Sequence, residues 1–84
     1  MKIEVLGPGC MNCQKLEREV QNALAELKIN AEVVKVTDIS KFSSYGILMT
    51  PGLVINGKVY SSGKIPVMTT LKKWIEEEAK KDIQ

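Results

Sequence analysis

Gly7-Pro8-Gly9-Cys10-Met11-Asn12-Cys13 is the stretch on which the reading of this chain turns. Before it, Lys2 to Leu6 alternates as a strand does, with Ile3 and Val5 on one side, and the Gly-Pro-Gly run ends that strand. After it, Cys13, Leu16, Val20, Leu24 and Leu27 recur at spacings of 3, 4, 4 and 3, one continuous face of a helix over Met11 to about Lys28. The two cysteines of the chain therefore sit where a strand hands over to a helix.

Cysteines at that junction differ in surroundings. A thiol in the first turn of a helix faces unpaired backbone N–H groups and the positive end of the helix dipole, both of which favour thiolate over thiol. Cys10 is the expected nucleophile on this ground. Cys13, in register with Leu16, Val20 and Leu24, falls on the core-facing side, within bonding distance of Cys10, and is the expected resolving thiol. A bridge closing so short a loop constrains the unfolded chain little, so the pair is poorly explained as a stabilising staple. Lys15, one turn in, reads as a solvent-facing helix residue.

Beyond the first helix, Asn30 is a plausible stop and Ala31 to Val36 a β-branched second strand, which makes β-α-β with parallel strands. Thr37-Asp38 can cap a short helix carrying Ile39, Phe42 and Tyr45, ended by Gly46. Thr50-Pro51-Gly52-Leu53-Val54-Ile55-Asn56-Gly57-Lys58-Val59-Tyr60 places two β-rich runs around Asn-Gly, the signal of a two-residue hairpin. Pro66 suits the first turn of a last helix whose apolar stripe is Val67, Leu71, Trp74, Ile75 and Ala79, with Glu76–Lys80 and Glu77–Lys81 as exposed pairs. Met49, Met68 and Trp74 read as core or half-buried packing residues, and Glu4, alternating away from Ile3 and Val5, as an exposed strand residue.

The order β-α-β-α-β-β-α, with Cys-x-x-Cys at the first strand–helix junction and Thr-Pro before the hairpin, resembles the thioredoxin superfamily in its smallest form. It looks most like the glutaredoxin-sized proteins called redox-active disulfide protein 2. The most specific parts are Gly7 to Cys13 and Gly46-Ile47-Leu48-Met49-Thr50-Pro51 with the hairpin after it. The resemblance implies an α/β minimal thioredoxin fold, a four-stranded mixed sheet flanked by helices, filling residues 1–84 as one domain. It implies a cis bond before Pro51, which sits against the redox pair, and a Thr50 backbone that pairs with an extended substrate. Gly63 matches in part a glycine of the glutaredoxin glutathione site, but Lys64 stands where an acidic partner is usual, so glutathione use is not implied. The aromatic residue that precedes the motif in typical thioredoxins is absent. The implied activity is dithiol–disulfide oxidoreduction of protein disulfides, with regeneration by a flavin-dependent reductase of the thioredoxin reductase kind or another thiol donor.

Composition bounds the alternatives. Twelve basic against ten acidic residues leave a net charge of +2, with no basic cluster longer than two residues and four aromatics in all, which gives nucleic-acid binding little support. The N-terminal apolar run is too short for a signal peptide or a membrane span, so a cytoplasmic, monomeric protein without membrane contact is expected. No cofactor is expected. A soft-metal carrier of the heavy-metal-associated type also places Cys-x-x-Cys after a first strand. Those domains run β-α-β-β-α-β and carry Met where this chain has Pro8, and two cysteines with no histidine fall short of a four-ligand zinc site. A redox-sensing partner module without turnover is the remaining alternative.

Overall fold

The computed structural model describes residues 1–47 and 49–82; Leu48 of the Gly46 to Pro51 motif and the last two residues lie outside them. The elements are β1 (Lys2–Leu6), α1 (Met11–Leu27), β2 (Glu32–Val36), α2 (Ile39–Ser44), β3 (Gly52–Ile55), β4 (Lys58–Ser62) and α3 (Met68–Asp82). They form one four-stranded sheet in the order β2-β1-β3-β4, with β1–β2 parallel and the β1–β3 and β3–β4 pairs antiparallel. This is the α/β minimal thioredoxin fold expected above.

The helix boundaries follow local chemistry. Cys10 caps α1, its sulfur accepting the Cys13 N–H, and Lys28 ends it in the left-handed region at φ 56°, so the stop falls two residues before Asn30. Asp38 caps α2 by accepting the Ser40 N–H at 3.0 Å. At the hairpin, Asn56 and Gly57 both take positive φ, 51° and 82°, which is what a two-residue turn matching the twist of its strands requires.

Two cores lie on opposite faces of the sheet. Ile3 and Val5 of β1, with Leu53 and Ile55 of β3, pack against Leu16, Val20, Ala23 and Leu24 of α1 and Leu71 and Ile75 of α3. Leu6 and Val54 face the other way, onto Phe42 of α2 and Ile47. Trp74 and Met68 are half-buried against the first core, as read from the sequence. Two apolar assignments are corrected, since Met49 and Val67 are exposed; Ile39 of α2 is exposed as well. Val67 lies just ahead of α3, where its carbonyl accepts the Leu71 N–H without its side chain reaching the stripe.

Glu4 is also corrected. It does alternate away from Ile3 and Val5, but the face it joins is covered by α2, and it is only 8% exposed, its carboxylate accepting the Tyr45 hydroxyl at 2.8 Å. A second carboxylate, Glu78 of α3, is 2% exposed and collects four partners from the hairpin and its own helix. Lys81, expected to pair with Glu77, turns to Glu78 at 3.4 Å.

Candidate active site

The site forms at the end of the sheet where β1 leaves and α1 begins. Cys10 and Cys13 are joined as a disulfide, with Cα atoms 5.0 Å apart. Cys10 is exposed and Cys13 is 5% exposed, so the two sulfurs divide between solvent and core as the helical spacing predicts. The Cys13 N–H points at Cys10 Sγ from 3.2 Å, placing the outer sulfur on the unpaired amides of the first turn. No acidic side chain occupies that turn to oppose a negative charge there. These amides and the helix N-terminus face the sulfur of Cys10, the solvent-exposed member of the pair.

Gly7 explains how Cys13 fits. A Cβ built on Gly7 would run into Cys13 Sγ and come within 3.2 Å of its Cβ. The inner sulfur thus lies directly against the backbone at the end of β1, held there by the Gly7 N–H to Val36 carbonyl bond of 2.9 Å. The glycine supplies space at this position, a need that the Gly-Pro-Gly run alone does not announce.

The Thr50–Pro51 segment reaches the same place from the other side. The bond is cis, as the resemblance implies, Pro51 is fully buried, and Thr50 Cβ lies 3.7 Å from the Gly7 Cβ position. Gly63 joins this group, since its N–H donates to the Pro51 carbonyl at 2.8 Å. At φ 78° and with Met49 Cβ 2.8 Å from where its own Cβ would be, Gly63 admits no side chain without strain. Its amide is therefore committed to Pro51. Met49 stays exposed above this contact, and Met11, between the cysteines, is exposed on the neighbouring turn. Cys10, Cys13, Thr50, Pro51 and Gly63, singled out from sequence, are thus brought to one end of the molecule.

Comparison with known proteins supplies the family. A model of the thioredoxin domain family matches residues 1–76. A thioredoxin of Methanothermobacter thermautotrophicus is 36% identical over 73 residues, covering 87% of this chain and 95% of that protein. The chain belongs to the thioredoxin family. A second thioredoxin, from Methanocaldococcus jannaschii, is 36% identical over 70 residues, 83% of this chain and 80% of its own length. As a thioredoxin-family member with a paired Cys-x-x-Cys, the protein is a dithiol–disulfide oxidoreductase. The observed order β-α-β-α-β-β-α differs from the β-α-β-β-α-β order of the metal carriers. No helix among the described residues is long and apolar enough to cross a membrane.

Proposed function

We propose that the chain cycles protein disulfides, with Cys10 as nucleophile and Cys13 as resolving thiol. The observation that carries this is the asymmetry of the pair: an exposed Cys10 residue whose sulfur accepts the Cys13 amide at the head of α1, and a buried Cys13. Cys10 thiolate attacks a substrate disulfide, one substrate sulfur leaves, and a mixed disulfide forms. Cys13 thiolate then attacks Cys10 Sγ, the second substrate sulfur leaves as thiolate, and the internal disulfide carries the two electrons' worth of oxidation.

The substrate chain runs extended past Thr50, pairing with its backbone, while Pro51 and the Gly63 loop shape the floor of the groove. Gly63 acts there by its lack of a side chain, since its N–H is taken. A flavin-dependent reductase of the thioredoxin reductase kind, or another thiol donor, returns the pair to the dithiol. The same reading takes residues 1–84 as one domain, acting as a monomer in the cytoplasm.

Titration of the metal-free protein in dithiothreitol or glutathione buffers, with thiols counted by alkylation and mass, tests the proposal. A single two-electron transition between roughly −180 and −300 mV places the pair among cycling oxidoreductases. Cys10→Ser should lose reduction of a protein disulfide such as insulin down to background, and Cys13→Ser should accumulate mixed disulfides with substrate. Full activity in Cys10→Ser with no adduct in Cys13→Ser would reverse the roles.

A further inference from the structure

We propose that Asn56 is a latent modification site: the closed hairpin corner protects its side-chain amide from deamidation, and the acid formed when the corner opens keeps it from closing again. The inference does not rest on the cysteine roles, and it concerns the end of the sheet away from them.

Of the four asparagines in the chain, only Asn56 is followed by glycine. Such a pair is open to attack by the backbone on the side chain, because glycine has no Cβ to hinder its nitrogen. Both residues are exposed, so solvent base reaches the Gly57 N–H. In the reaction the Gly57 nitrogen gives up its proton and bonds to Asn56 Cγ, while Nδ2 takes up a proton and leaves as ammonia. Water then opens the five-membered imide at one of its two carbonyls. One opening leaves an ordinary aspartate; the other leaves an isoaspartate, in which the chain runs through Cβ and Cγ. Water is the only reactant consumed, and nothing is oxidised or reduced.

The fold holds this reaction back. Asn56 is fixed to the start of β1 by a reciprocal pair: its N–H donates to the Lys2 carbonyl at 2.8 Å, and its Oδ1 accepts the Lys2 N–H at 3.0 Å. Its Nδ2 donates to Glu78 Oε1 at 3.2 Å. The partners fix the orientation of the amide, since a backbone N–H only donates and an ionised carboxylate only accepts. Attack on Cγ makes that carbon tetrahedral and expels Nδ2, so the planar amide must leave its place between β1 and α3. Positive φ at both residues, 51° and 82°, also keeps the backbone in the tight turn. Deamidation therefore waits on local opening of the corner.

The same contacts make the products incompatible with the closed corner. In the aspartate an oxygen replaces Nδ2, so a second carboxylate faces Glu78 Oε1 where a donor stood. Glu78 is 2% exposed, and little solvent is there to screen the repulsion. Its other partners, the Tyr60 hydroxyl, Lys81 at 3.4 Å and Lys58 at 3.8 Å, all meet Oε2 instead. The isoaspartate adds an atom to the main chain of a two-residue turn, which disturbs the register of β3 with β4. Either product turns a passing opening of the hairpin into a lasting one, and so marks chains that have been open.

Ageing the intact, disulfide-bonded protein tests this. Samples are held at mildly alkaline pH in buffer and in urea, and the peptide ending at Lys58 is followed by mass and with an isoaspartate-specific methyltransferase. Conversion in buffer should be at least about tenfold slower than in urea, in step with the hydrogen-exchange protection of the Asn56 N–H. Asn56→Asp should lower the folding equilibrium constant at neutral pH by about ten- to a hundredfold. In a Glu78→Gln background the same change should lower it by at most about threefold, because no second carboxylate is met. Conversion as fast in buffer as in urea overturns the proposal, as does an Asn56→Asp protein that loses nothing, or loses the same in both backgrounds.

Discussion

The two ends of the sheet are held together by different means. At the redox end the contacts are made by backbone and by missing side chains: Gly7 against Cys13, Gly63 against Met49, and the Gly63 N–H on Pro51. At the hairpin end they are made by side chains gathered on one buried carboxylate. Glu78 accepts from the Tyr60 hydroxyl and from Asn56 Nδ2 at 3.2 Å, with Lys81 at 3.4 Å and Lys58 at 3.8 Å, while Tyr60 lies 5.2 Å from Trp74 ring to ring. Asn56 also accepts the Lys2 N–H, tying the start of β1 to the same corner. The difference teaches that the chain separates its anchor from its chemistry. The end that must admit a substrate is shaped by space, and the end that must not move is shaped by charge and hydrogen bonds.

Four substitutions test that separation, in falling order of effect. Glu78→Ala should cost about 3 kcal/mol in urea unfolding, because it removes a buried, charged acceptor shared by the half-buried Tyr60 hydroxyl and the Asn56 amide. It should leave the midpoint potential of the cysteine pair where it was, and a shifted potential would show that the ends are coupled. Gly7→Ala should do the reverse in kind. It overpacks Cys13 at a cost of about 1–3 kcal/mol and lowers insulin reduction, and an unaltered activity would break the comparison at the redox end.

Tyr60→Phe, next, should cost about 1 kcal/mol at neutral pH and change the pH profile of stability at both limits. The Tyr60 hydroxyl holds the Glu78 carboxyl below its ordinary 4.5, against the opposing effect of burial. Stability from that carboxylate is thus present above 4.5 and is lost as pH falls through the lower folded value. Burial, with Glu78 beside it, pushes Tyr60 up to about 12 from 10.0. Its contribution is present below pH 10 and is lost as pH rises towards 12. Thermal melts should show both limbs flattened in Tyr60→Phe. Smallest is Ser61→Ala: Ser61 Oγ is buried with no hydrogen-bond partner among the described residues, so its removal should leave the melting point equal or raise stability by up to about 1 kcal/mol.

Much of this molecule is legible in one dimension because its signals are local. The 3, 4, 4, 3 spacing from Cys13 places α1 and its buried face, Asn56-Gly57 places the hairpin, and Thr50-Pro51 ahead of it marks the second wall of the site. What escaped are features made by residues far apart in the chain. Glu4 is buried because Tyr45, 41 positions away, lands above it, and alternation alone says only which face a residue joins, never whether that face is covered. Glu78 does carry a local signal: it lies three residues after Ile75 and seven after Leu71, on the stripe that faces the core. A charge on such a stripe asks for partners, and they were in the hairpin. Gly7 needed the position of Cys13 Sγ, which the spacing of the motif does not give.

The strand order has a consequence for how the chain is made. β1, synthesised before the other three strands of the sheet, lies inside it, between β2 and β3. A nascent chain that has emerged only through β2 can close its β-α-β unit, yet Ile3, Val5 and Leu16 still lack Leu71 and Ile75, which arrive after all four strands. Until α3 leaves the ribosome the larger core has an open apolar side, so stalled or truncated chains ending before Met68 expose the surface that chaperones and aggregates compete for.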